Sequence, residues 1–190
     1  MSLTLSESIA GLTKDDIDNC NLAINSHTSK EALLKLSKDK CPHIRLNVAR
    51  NYNTPIEILE ILSNDLVYEV RRHVATNSNT TTEILEKLSK DENMYIRWNV
   101  AEHHNTSVQV LDKLADDIST HTREHIAKNK NTSSETLEKL SNDKSIYVLM
   151  NIAGHANTSI EVLIKLSKDS FKHISDKAKL NRIYKLRLLK

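Results

Sequence analysis

The chain has 190 residues, of which 38% are hydrophobic and 27% charged, with 27 Lys or Arg against 25 Asp or Glu for a formal net charge of +2; this is the profile of a soluble protein with an ordinary core. No stretch approaches the roughly 18 uninterrupted apolar residues of a spanning helix, and residues 1 to 16 lack the basic start and apolar middle of a secretory signal, so a cytoplasmic location is expected. Two cysteines, Cys20 and Cys41, exclude a disulfide framework and a cysteine-ligated cluster; two Gly, two Pro and 4% aromatics argue against sheet-rich folds and a Gly-rich phosphate loop, leaving an all-α chain.

An Asn-Thr or His-Thr pair recurs every 26 residues, at His27-Thr28, Asn53-Thr54, Asn79-Thr80, Asn105-Thr106, Asn131-Thr132 and Asn157-Thr158. A fixed period of this length marks a solenoid, in which each unit buries its apolar face against its neighbours. In chain order, residues 1–26 come first as a shortened half-repeat, because Leu12, Asp15, Leu22, Ala23 and Asn25 echo the second half of a repeat with two residues missing. Six repeats follow over residues 27–181. Residues 182–190 close the chain as a basic segment, either a cap or a tail, and the whole is expected to form a single domain over 1–190.

The first helix of each repeat is announced by Thr followed three residues later by Glu or Gln, as in Thr28 and Glu31, Thr54 and Glu57, or Thr106 and Gln109. These read as capping boxes, with Pro55 at a first helical position. Leucines from Leu33 to Leu163, each with another three residues on from Leu36 to Leu166, form the inward stripe; Glu86, Lys87, Glu138 and Lys139 read as solvated surface. The second helix opens after a recurring Asp (Asp39, Asp65, Asp91, Asp117, Asp143, Asp169) and carries apolar residues at spacing four, such as Ile44 with Val48 and Ile96 with Val100. It ends at Asn51, Asn77, His103, Asn129 or His155, where Asn is the residue best suited to a left-handed helix stop.

Ile96-Arg97, Val100-Ala101 and Asn105-Thr106, with Leu111, Leu114 and Asp117 downstream, resemble the leucine-rich repeat variant family of bacteria over about residues 20 to 170. The resemblance implies a right-handed α-solenoid of paired helices, the second sometimes tightened to 3₁₀, without a strand. Only Thr54-Pro55 keeps the Thr-Pro of that family, and Tyr52, Ser78, His104, Lys130 and Ala156 replace the Pro after the Asn, which favours a fuller second α-helix. A member of the family carries an iron–sulfur domain with clustered cysteines; nothing here matches it, and no cofactor is implied. The Asp followed six residues later by Arg also resembles the ladders of HEAT repeats.

Arg45, Arg71, Arg97 and Arg123 recur at the repeat period, and each can pair with its own or the next unit's Asp in a bidentate bond. The column fails at Leu149 and Ser175, which leaves Asp143 and Asp169 in need of other partners. His121 and His125 share one helical face, a spacing compatible with metal binding, but Glu69 and His73, Tyr95 and Asn99 occupy the same columns in other repeats, and Glu124 points elsewhere. His103 and His104, adjacent at a turn, are expected to diverge. No nucleophile elbow or isolated carboxylate pair stands out, so no enzymatic activity is expected.

Three outward columns remain on the second helices: His43, Glu69, Tyr95, His121, Tyr147 and His173; Leu46, Arg72, Trp98, Glu124, Met150 and Asp176; Arg50, Thr76, Glu102, Lys128, Gly154 and Leu180. They vary while their neighbours repeat, and they carry the only tryptophan. The expected function is therefore a scaffold binding a protein or peptide, with Tyr95, Trp98, Tyr147 and Met150 as anchors and Arg72 and Glu124 setting charge preference. The alternative is nucleic-acid binding, by analogy with bacterial alkylpurine DNA glycosylases built from HEAT-like repeats, with Arg50, Arg72, Lys128 and the basic end on phosphate and Trp98 or Tyr95 stacking on a base. Residues 171 to 190 hold seven Lys or Arg against one Asp, a net +6 that leaves −4 on residues 1 to 170, unlike a dedicated DNA binder. Ile183, Leu186 and Leu189 are expected to seal the last core layer.

Overall fold

A computed structural model describes residues 12–188. Among them are thirteen helices and no strand: α1 (Lys14–Ile24), α2 (Lys30–Leu36), α3 (Pro42–Arg50), α4 (Ile56–Leu62), α5 (Tyr68–Thr76), α6 (Thr82–Leu88), α7 (Met94–Glu102), α8 (Val108–Leu114), α9 (Thr120–Lys128), α10 (Ser134–Leu140), α11 (Ile146–Gly154), α12 (Ile160–Leu166) and α13 (Lys172–Leu188). Each repeat supplies a short first helix of 7 residues and a second that has 9 residues in the first five repeats and 17 in the sixth, all α-helical as the missing prolines suggest. The chain falls into two compact units that divide between Val100 and Ala101, inside α7.

In the first unit, α1 packs on α3 and α3 on α5, while the first helices α2, α4 and α6 fill the other layer. In the second unit α9 packs on α11 and α11 on α13, with α8, α10 and α12 beside them. The core lies between the layers. Leu33, Leu59, Leu85, Leu111, Leu137 and Leu163 are fully enclosed, and they meet Ile44, Val48, Val70, Val74, Ile96, Val100, Ile126, Val148 and Ile152 from the second helices, all at 0% exposure. Each such side chain contributes about 1.5–3 kcal/mol of burial, and a helix of two turns has no independent stability without it.

The turns are built differently from the sequence expectation. Thr54, Thr80, Thr106, Thr132 and Thr158 are completely buried and do not cap the helices that follow. The hydroxyls of Thr54, Thr80, Thr132 and Thr158 donate backwards, across the turn, to carbonyls near the end of the preceding second helix: Thr54 to Val48 at 2.6 Å, Thr80 to Val74 at 2.5 Å, Thr132 to Ile126 at 2.6 Å and Thr158 to Ile152 at 2.6 Å. Thr28 does the same to Leu22 at 2.6 Å. The caps sit one residue later, at Ser29, Pro55, Thr81, Ser107, Ser133 and Ser159. Pro55 is therefore a cap with extended backbone, and Pro42 is the proline at a first helical position. The capping box that does form is at α1, where Thr13 and Asp16 satisfy each other's amides.

The helix-ending Asn is also not left-handed, since Asn51, Asn77 and Asn129 have φ between −67° and −74° and no described residue has positive φ. The side chain instead reaches into the preceding repeat. Asn51 Nδ2 donates to Ala23 and Asn25 carbonyls at 2.8 and 2.9 Å, Asn77 to Ala49 and Asn51 at 2.7 and 2.9 Å, and Asn129 to Ala101 and His103 at 2.8 and 3.1 Å. The Ala carbonyls are among those a helix end leaves unpaired, while the Asn25, Asn51 and His103 carbonyls also take the amide of the turn threonine, as Asn51 does from Thr54 at 3.0 Å. His155 holds the same place, with Nε2 2.9 Å from the Asn129 carbonyl, and Asn181 continues the series to Ala153 and His155 at 3.1 and 3.0 Å. The repeat register thus persists to the start of the basic segment.

Beyond Asn181 the chain runs on as helix α13. Ile174 and Ala178 are buried and close the core, but Ile183 is 50% and Leu186 40% exposed, so they do not seal it. Leu189 and the expected half-repeat residues 1–11 lie outside the described residues.

Candidate partner-binding surface

The Arg column is used within the fold. Arg45 donates through Nε and Nη2 to the Asp65 carboxylate at 2.6 and 2.9 Å, Arg71 to Asp91 at 2.7 and 3.1 Å, and Arg123 to Asp143 at 2.6 and 3.3 Å. Nη1 of each bonds the turn carbonyls of its own repeat, as Arg71 does to Asp65 at 2.7 Å. The pairing is therefore with the next unit's Asp, which supplies Asp143 with Arg123 despite Leu149. The guanidiniums hold their protons more tightly than usual, chiefly through those carboxylate bonds, and each Asp also accepts the amide two residues on, as in Val67 to Asp65 at 2.9 Å. Few donors are left for a phosphate.

The first-helix lysines read as solvated bind backwards, Lys87 Nζ to Ser63 Oγ at 3.0 Å and Lys139 to Asp116 at 2.8 Å. Lys165 Nζ does the same to Ser141 O at 2.9 Å and Asn142 Oδ1 at 2.6 Å. The carboxyls of Glu31, Glu57 and Glu135 are held below the usual range first by their own first-turn amides, and that of Glu83 first by Thr81.

With these columns committed to the scaffold, the second helices expose the three variable ones, none of whose members is buried. In the first unit, Tyr95 is 44% exposed and its ring lies 6.0 Å from that of half-buried Trp98, tilted by 42°. Burial raises the Tyr68 hydroxyl, the adjoining Glu69 charge raises it further, and Arg72 and Tyr95 act on it as well, so all four side chains share one neighbourhood. Half-buried His73 is held below its ordinary value by burial first, then by Arg72 and Arg50. Arg50 and Arg72 are exposed.

In the second unit, Glu124 is half-buried and bonds Lys128 at 2.6 Å, Tyr147 is 57% exposed and Met150 half-buried. Glu124 Oε2 lies 4.0 Å from His121 Nδ1, on the histidine's side and not elsewhere, while His125 Nδ1 is 3.6 Å from Glu102 Oε2. Burial lowers His125 in spite of Glu102. His103 and His104 stack, with centroids 4.6 Å apart and planes at 19°, instead of diverging, because His103 is fixed by the Asn105 amide donating to its Nδ1 at 3.1 Å. No group of three potential metal ligands converges among the described residues. Cys20 and Cys41 are half-buried free thiols, and burial first, then Cys41, pushes the Cys20 thiol up. No described helix is long and apolar enough to cross a membrane.

The sequence reading missed the residues that join repeats, namely the buried Thr hydroxyls and the Asn amides. No family model matches the chain, and neither does any curated protein. Among solved structures it is similar to one described as a leucine-rich repeat variant with a novel repetitive protein structural motif, at 21% identity and a TM-score of 0.70 over 95% of this chain and 72% of that one. It is also similar to the crystal structure of an engineered protein, at 15% identity and a TM-score of 0.50 over 94% of this chain and 66% of that one. The chain has the fold of a leucine-rich repeat variant, a helical solenoid repeat.

Proposed function

We propose that the chain is a non-enzymatic repeat scaffold that binds a protein or peptide partner on the surface of its second helices. Arg72, Tyr95 and Trp98 form the contact on the first unit, and Glu124, Tyr147 and Met150 that on the second. The supporting observation is the Tyr95–Trp98 pair at 6.0 Å, which keeps aromatic surface open to solvent on a helix whose Ile96 and Val100 already provide the packing. Large aromatics that keep part of their surface in solvent are the residue types that dominate binding energy when a partner desolvates them, at about 2 kcal/mol or more each. The occupied donors of Arg45, Arg71 and Arg123, and the Lys128–Glu124 pair, weigh against a nucleic-acid ligand.

The test compares proteins captured by the full chain with those captured by Trp98→Ala and Tyr147→Ala, each first shown to keep its far-UV circular dichroism. Loss of a common set of captured proteins is expected. Identical capture by all three removes the second-helix surface from consideration.

A further inference from the structure

From the placement of Arg50, Arg72, Tyr95 and Trp98 on one face of the first unit, we infer that this face takes an acidic peptide segment carrying a bulky apolar residue. The inference rests on the proposed second-helix reading and adds to it the chemistry of the occupant.

Arg50 ends α3, Arg72 lies mid-way along α5, and Tyr95 and Trp98 lie on α7. α3 packs directly on α5, and packed helices run about 8–10 Å apart. Arg72 on α5 and Tyr95 on α7 both act on the Tyr68 hydroxyl, so α7 lies near α5, and an extended segment crossing from α3 to α7 covers roughly 20 Å, which is about six residues at ~3.3 Å each. Carboxylates at one end of such a segment meet the two guanidiniums, and an aromatic or branched apolar side chain at the other end meets the indole and phenol. Arg50 and Arg72 differ from the ladder arginines because they are exposed, whereas Arg45 and Arg71 are drawn into bidentate bonds with Asp65 and Asp91. The two exposed guanidiniums lie close enough together to act jointly on His73, and burial keeps that imidazole from adding a third charge. Two planar forks beside an apolar platform suit carboxylates spaced along a peptide. A nucleic acid needs a longer cationic track than this, and residues 1 to 170 carry net −4.

The test is selection of 12-residue peptides from a phage-displayed random library against the full chain, repeated against Arg50→Glu/Arg72→Glu and against Trp98→Ala. Wild-type protein should enrich peptides with Asp or Glu several positions from Phe, Trp, Leu or Ile. One synthesised acidic winner should bind at least tenfold more weakly to the double Glu variant, with its far-UV spectrum unchanged, and should quench the fluorescence of Trp98, the chain's only tryptophan. Apolar winners without acidic bias, lost with Trp98→Ala but kept by the double variant, would overturn this inference and leave the second-helix reading standing. Winners indifferent to Trp98→Ala would overturn both. A 20-nucleotide single strand that displaces the acidic peptide at matched concentration, with a steep salt dependence, would replace the peptide with a nucleic acid and overturn the assignment.

Discussion

Replacing Arg71 by Met should destabilise the first unit by about 3 kcal/mol, at the low end of the about 3–5 kcal/mol typical of breaking a buried pair. Methionine keeps most of the apolar stem, so the loss is the guanidinium and its bonds. Those are Nε to Asp91 Oδ2 at 2.7 Å, Nη2 to Asp91 Oδ1 at 3.1 Å, and Nη1 to the Asp65 carbonyl at 2.7 Å. The side chains of Arg71 and Asp91 are 13% and 8% exposed, so water cannot replace the lost donors for the carboxylate, which retains the Asn93 amide at 2.9 Å. Some exposure remains, and for that reason the lower figure is chosen. Asp91→Asn removes the charge but not the acceptor of that amide, so Arg71→Met/Asp91→Asn should be less damaging than the sum of the singles, with a coupling of roughly 1.5–3 kcal/mol. Urea unfolding followed by far-UV circular dichroism at pH 7 measures all four proteins, with m-values compared to check that the same structure unfolds. Screening by 1 M salt should leave the coupling largely intact, since the pair is enclosed. A cost under about 1 kcal/mol for Arg71→Met, with additive singles, would mean that the ladder is a surface feature and that the argument for its role in joining repeats is wrong.

Two further outcomes follow from the same bonds and charges. Thr132→Val keeps shape but removes the 2.6 Å bond from Thr132 Oγ1 to the Ile126 carbonyl, which is left with the Asn129 amide at 3.1 Å, and it should lower stability by about 0.5–1.5 kcal/mol in thermal or urea melts; no change would return Thr132 to a surface cap. His73, depressed by burial first and then by Arg72 and Arg50, takes up a proton more readily unfolded than folded. Its contribution is therefore fully present above the unfolded value of about 6.5 and erodes as pH falls below it towards the folded value. Urea midpoints between pH 7.5 and 5 should fall more steeply for the wild type than for His73→Gln, and parallel slopes would contradict the burial of a neutral imidazole.

The leucine stripes were legible because burial imposes one periodicity on the whole stack, and Leu33 through Leu163 all sit where spacing alone put them. The turn was harder, because Thr28-Ser29, Thr132-Ser133 and Thr158-Ser159 each offer two adjacent residues able to cap a helix, and local chemistry does not rank them. Comparison across repeats does. The first position of the pair is Thr in all six repeats, while the second reads Ser, Pro, Thr, Ser, Ser and Ser. A cap accepts Ser, Asp or Asn as readily, so invariance of Thr within the chain points to a site that needs the methyl buried as well as the hydroxyl bonded. The same reasoning bears on Asn51 and its equivalents. His103 and His155 stand in that column, and histidine has no particular aptitude for left-handed backbone, but it can offer ring nitrogens to the preceding and following backbone as Asn offers its amide. The variable columns obey the opposite logic. Within them the stack accommodates His, Glu or Tyr at one position, so the repeat does not dictate the choice of Tyr95, Trp98 or Arg72, and their identity carries information about whatever meets them from outside. Repetition identifies which residues hold the scaffold together; the departures from it, read for charge and apolar surface once the ladders have claimed their donors, are where a ligand's chemistry is encoded.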